Sequence, residues 1–174
     1  WNGIRATVDE WKGLAAPLPG SHLPALRERF GITSESITVN GVKAYMITPR
    51  EMPAANRNRL LVHLHGGCYV LNGGEVGTTE AIYMAGFGGF KVLSIDYRRP
   101  PEFPYPAALD DGVTAWSEAT RMAPPRNLAI FGTSAGGALT LSIALRAKQE
   151  GLPLAAAMAP GTPMSDLTGT GDSF

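Results

Sequence analysis

Ser134 stands in the stretch Gly132-Thr133-Ser134-Ala135-Gly136, with a glycine two residues to either side. A serine hydroxyl attacks an acyl carbon when a sharp turn lifts it clear of its neighbours and a base takes its proton. At the start of a helix the same hydroxyl can instead serve as an N-cap. Both readings place Ser134 at a helix start, and with 21 glycines among 174 residues the five letters alone do not separate them. A second stretch, His65-Gly66-Gly67-Cys68, offers complementary chemistry. Acyl transfer needs backbone N–H donors aimed at the oxygen that becomes negative, and residues without side chains let a substrate reach that backbone. Alone, Gly66 and Gly67 read as a flexible loop; at the same sheet edge as a serine elbow they read as an oxyanion loop.

The elements around these stretches must bring them together. Leu128 to Phe131 follows the breaker Pro124-Pro125 and reads as a buried strand, and Ala138, Leu141, Ala144 and Leu145 recur at helical spacing after Ser134. Strand, tight turn and helix is the order that a nucleophile elbow requires. Further apolar runs at Leu60–Leu64, Val92–Ile95 and Leu154–Met158 read as strands. Helices are expected near Thr78–Phe87, Ala107–Met122 and Ala135–Gln149. Asn40-Gly41, between Ser36–Val39 and Val42–Ile47, is a hairpin signal. The result is an α/β fold: an antiparallel hairpin leads into a mostly parallel, doubly wound sheet with helices on both faces. Ligands of such sheets bind beyond the carboxyl ends of the strands, where His65–Cys68 and Ser134 both fall. Ahead of the sheet, Ile4, Val8, Trp11 and Ala15 share one helix face, and a short helix is expected over Leu23–Phe30.

The remaining candidates read more plainly. His65 ends a strand, where an imidazole can hold the loop by bonding to backbone, so a structural role is expected. His63 and His65 are two apart on an apolar strand and His22 is remote, so no metal-ligand spacing appears. Asp110 and Asp111 open a helix and read as N-terminal charge and caps. Arg27, Glu28 and Arg29 read as a solvated helix face. Fifteen basic and fifteen acidic residues leave no electrostatic footprint for nucleic acid, and no apolar run approaches a membrane span. One cysteine, Cys68, excludes an internal disulfide and fits a reducing, cytoplasmic location.

Four spaced motifs resemble the hormone-sensitive-lipase-type esterases of the α/β-hydrolases. His65-Gly66-Gly67-Cys68-Tyr69 is similar to their HGGG loop, and Gly132-Thr133-Ser134-Ala135-Gly136-Gly137 to their GxSAGG elbow. Asp96 to Ala108 resembles their DYRLAPEHPFPAA stretch, and Ser165-Asp166-Leu167-Thr168 an SPWTDLT-like segment. The resemblance implies a serine carboxylic-ester hydrolase acting on small esters or lactones. Ser134 would be the nucleophile, and the N–H groups of Gly66, Gly67 and Ala135 the oxyanion hole. Cys68 and Tyr69 would border the substrate pocket. No cofactor or metal is implied. It implies residues 1–30 as cap helices and 31–174 as the N-terminal part of the catalytic domain. The remainder would be missing, either as a separate chain docked against the strand at Leu154–Met158 or as residues lost, and a homodimer is a further expectation. Two departures stand out. Cys68 replaces the last loop glycine and is expected as a buried packing thiol. The acid and histidine that follow the nucleophile in the family are absent: Asp166 and Asp172 come too early, and all three histidines precede Ser134. A receptor of the same fold that binds without catalysis is the rival reading.

Overall fold

The computed structural model describes Glu10 and residues 22–164 and 166–168. The helix expected around Trp11, and Asp172, lie outside them. Helix α1 (Leu23–Phe30) leads into strands β1 (Ile32–Val39) and β2 (Val42–Pro49). Then follow β3 (Leu60–Leu64), α2 (Thr79–Gly88), β4 (Lys91–Ile95) and α3 (Ala107–Met122). The chain closes with β5 (Leu128–Thr133), α4 (Ala135–Gln149) and β6 (Ala157–Gly161).

The six strands form one sheet in the order β1-β2-β4-β3-β5-β6. β1 and β2 pair antiparallel through Asn40 and Gly41, whose φ values of 47° and 85° are those of a hairpin turn whose twist matches the strands it joins. β2 also meets β4 antiparallel, whereas β4, β3, β5 and β6 run parallel. β3 lies in the middle, and all five of its residues are buried, which is why its sequence is apolar with no alternation. Its side chains still divide by face. Leu60, Val62 and Leu64 join Trp116 of α3 and Ile143 of α4 in one core layer, while Leu61 joins Leu23, Ile82 and Phe131 in the other. Helices therefore cover both faces, as expected. α1 lies on the second face, packed on α2 and β1.

Three local expectations need correction. β6 begins at Ala157, three residues later than the apolar run at Leu154, and Leu154 and Met158 are exposed. Pro160 and Gly161 both lie in β6. An edge strand tolerates proline, because a residue whose N–H side faces away from the neighbouring strand has no ladder bond to lose. Asp111 is not a cap: it is buried and takes a forked pair of bonds from Arg98, with Nε and Nη2 at 2.8 to 3.0 Å. Asp110 does lie in the first turn of α3, without capping it. Arg27 is not solvated either; it tucks toward Glu75, 3.4 Å away.

Candidate active site

Ser134 occupies the single residue between β5 and α4, with φ 59° and ψ −119°. A non-glycine residue there is strained and persists only where its surroundings over-determine it. They do so here through the backbone. The Ser134 N–H donates to the Gly161 carbonyl of β6 at 2.9 Å, and its own carbonyl accepts from Ala138 and Met164 at 3.0 and 3.1 Å. The flanking glycines are steric necessities. A Cβ on Gly132 or on Gly136 would collide with the Leu64 carbonyl at the end of β3, so only glycine lets strand, turn and helix close up. The Ser134 hydroxyl makes no capping bond to α4, so the N-cap reading of this residue does not describe its side chain.

The loop after β3 lies directly against this turn. A Cβ on Gly66 would come within 2.8 Å of the Thr133 carbonyl and 3.5 Å of Ser134 Cβ. The loop is folded tightly, with the Gly67 carbonyl accepting from Val70 and Leu71 at 2.9 and 2.8 Å. Its shape needs left-handed backbone at Gly67, Cys68 and Tyr69, with φ of 120°, 52° and 63°. Among the described residues, nothing accepts a hydrogen bond from the N–H groups of Gly66, Gly67 or Ala135. Gly66 thus packs directly against the Ser134 turn, and Ala135, the first residue of α4, follows Ser134 in the chain.

His65 holds the loop, as its place in the sequence suggested. Its Nδ1 donates to the Gly66 carbonyl at 2.8 Å, its ring stacks on Tyr97 at 4.2 Å, and the Tyr97 hydroxyl donates to its carbonyl at 2.7 Å. Burial pushes its pKa down to about 4, against a smaller opposing pull from the Gly66 carbonyl. The ring is therefore neutral, with its buried Nε2 unpartnered among the described residues. His63 of β3 has Nδ1 2.9 Å from Ser94 Oγ and Nε2 3.4 Å from Glu80 Oε2. Neither ring bonds Ser134. Asp166 is turned into a local loop, accepting from the Thr168 N–H at 2.8 Å.

Cys68 overturns an expectation: the thiol is exposed, not packed. Tyr69, half-buried, does line a groove of about 520 Å³ with Phe103, Leu109, Leu141, Leu145 and Met164; Cys68 does not. The groove adjoins Ser134 through Ala138 and Met164, the two residues whose N–H groups hold its carbonyl. Sequence reasoning missed Glu80. It lies on α2, 53 residues ahead of Thr133, yet its Oε2 accepts from the Thr133 hydroxyl at 3.1 Å. No local signal marks that pairing.

Comparison with known proteins agrees with this geometry. An α/β-hydrolase-fold family matches residues 61–174. An acetyl-hydrolase of Streptomyces hygroscopicus is 35% identical over 122 residues, covering 70% of this chain and 41% of the relative. The human hormone-sensitive lipase is 31% identical over 127 residues, 68% of this chain and 12% of its own. A crystal structure of an esterase superposes with a TM-score of 0.87 at 36% identity, covering 99% of this chain and 54% of that one. An esterase/lipase from an uncultured bacterium gives 0.85 at 30%, covering all of this chain and 57% of that one. The chain thus spans less than half the length of its curated relatives and little over half of the solved ones. Both the elbow and the fold that carries it place the chain in the α/β-hydrolase family, among the hormone-sensitive lipases and their bacterial esterase relatives.

Proposed function

We propose that the intact protein is a serine carboxylic-ester hydrolase acting on small esters or lactones through an acyl-enzyme. The observation that carries this is the strained Ser134 turn packed against Gly66 of the glycine loop. Names among the relatives, acetyl-hydrolase and esterase, support the reaction class. In the first half-reaction Ser134 Oγ bonds to the ester carbon as its proton passes to a base. The carbonyl π pair moves onto the oxygen, where the N–H groups of Gly66, Gly67 and Ala135 stabilise it. Collapse breaks the carbon–oxygen bond to the alcohol, which leaves with the proton; water then repeats the sequence on the acyl-serine. Neither His63 nor His65 bonds Ser134, and in this reading, as the resemblance to the family implies, the base is a histidine oriented by an acid, both from sequence beyond the 174 residues. Tyr69 borders the groove that receives one arm of the substrate.

Ser134→Ala tests the reading. Turnover of a short-chain p-nitrophenyl ester by the intact protein should fall on the order of 10⁴-fold with the near-UV circular dichroism unchanged. A sulfonyl fluoride should add its mass to the peptide containing Ser134. Undiminished turnover in the alanine variant overturns the assignment.

A further inference from the structure

The Ser134 turn is restrained toward β6 and α4 by backbone bonds, but its side facing α2 is held differently. The Thr133 hydroxyl donates to Glu80 Oε2 at 3.1 Å. Glu80 projects from the first turn of α2, and the same oxygen lies 3.4 Å from His63 Nε2 on β3. His63 is wholly buried, stacked beside Phe131 of β5 with centroids 4.8 Å apart, and its Nδ1 lies 2.9 Å from Ser94 Oγ on β4. A chain of polar contacts therefore runs from β4 through β3 and α2 to the residue just before the nucleophile. Its inner end, His63 and Ser94, is buried, while Glu80 at the outer end is partly exposed, 40% by side chain.

Thr133 is also the joint between the two halves of the site. Its carbonyl is the atom against which Gly66 packs, with a Gly66 Cβ position 2.8 Å away. Its Oγ1 stands 3.1 Å from the Cβ position of Gly161, whose carbonyl takes the Ser134 N–H. Turning Thr133 would thus move Ser134 and the oxyanion loop relative to one another. We infer that Glu80 is a positioning residue: through the Thr133 hydroxyl it sets the Ser134 turn against the Gly66–Gly67 loop, with His63 and Ser94 holding Glu80 in place. This rests on the ester-hydrolase reading above.

The test separates geometry from mere folding. In the intact protein, Thr133→Val keeps the shape and removes the donor, whereas Thr133→Ser keeps the donor. T133V and Glu80→Ala should each lower kcat about tenfold with KM within about twofold, since small misplacements of reacting groups act on the chemical step. T133S, and Glu80→Gln, which keeps an acceptor oxygen, should stay within about twofold of the parent. The E80A/T133V double variant should fall no further than the worse single, because both break one contact. Equal losses in T133S and T133V, losses that multiply in the double variant, losses confined to KM, or unchanged kcat in both singles would overturn the inference. If T133V fails to fold, E80A against E80Q decides by the same criteria. S134A is assayed alongside. Turnover surviving there overturns the ester-hydrolase reading and this inference with it; an inactive S134A beside a fully active T133V overturns this inference alone.

Discussion

Gly66→Ala asks whether the loop after β3 is set by contact with the nucleophile turn. The φ of Gly66 is not in the left-handed region, so alanine meets no backbone penalty and the perturbation is steric. The added Cβ would sit 2.8 Å from the Thr133 carbonyl oxygen, and real Cβ atoms essentially never come closer than 3.0 Å to a neighbour. The obstacle is backbone, tied to β3 and β6, so the loop must yield by a few tenths of an ångström. Donors in an oxyanion hole work within a window of about 2.7–3.1 Å, and losing one donor costs about 10²–10³-fold in kcat. A shift that stretches the bond without abolishing it should then lower kcat by about 10- to 100-fold, with KM little changed. Overpacking should cost about 1–3 kcal/mol of stability. Stopped-flow or steady-state hydrolysis of a p-nitrophenyl ester reads the first quantity, and urea unfolding the second. A folded G66A variant with parental kcat would refute the oxyanion role of this loop, and a loss confined to KM would assign it to binding alone.

Cys68, being exposed, should react with a maleimide in the native protein within about tenfold of its rate in urea; strong native protection would contradict its outward placement. His65 makes stability pH-dependent. As pH falls below 6.5 the unfolded state takes up a proton that the folded ring accepts only near 4, so stability present above pH 6.5 is lost as pH drops toward 4. At about 1.4 kcal/mol per pH unit the loss is on the order of 3 kcal/mol. Urea midpoints from pH 4 to 7 should show that slope reduced in His65→Gln relative to the parent, and parallel curves would show that the ring titrates normally.

Much of the site could be read locally because its demands are local. An elbow that brings strand, turn and helix backbones into contact tolerates only glycine at 132 and 136, so the motif carries the geometry in its letters. Asn40-Gly41 announces its hairpin for the same reason: the turn needs positive φ at both residues. The central strands showed as unbroken apolar runs because both of their faces are buried. Other features depend on which segments meet, and no short-range pattern encodes that. The order placing β3 between β4 and β5 brings Gly66 beside Thr133; the packing of α2 on that sheet delivers Glu80 to the Thr133 hydroxyl. Cys68 looked like a core residue by type, yet in the folded chain it is exposed. Asp111 looked like a helix-terminal acid until Arg98 was folded against it. Residue type and spacing determined that a serine elbow and a glycine loop exist. Tertiary structure alone decided what each touches, because contact between distant segments is set by the packing of whole elements and not by the propensities of their neighbours.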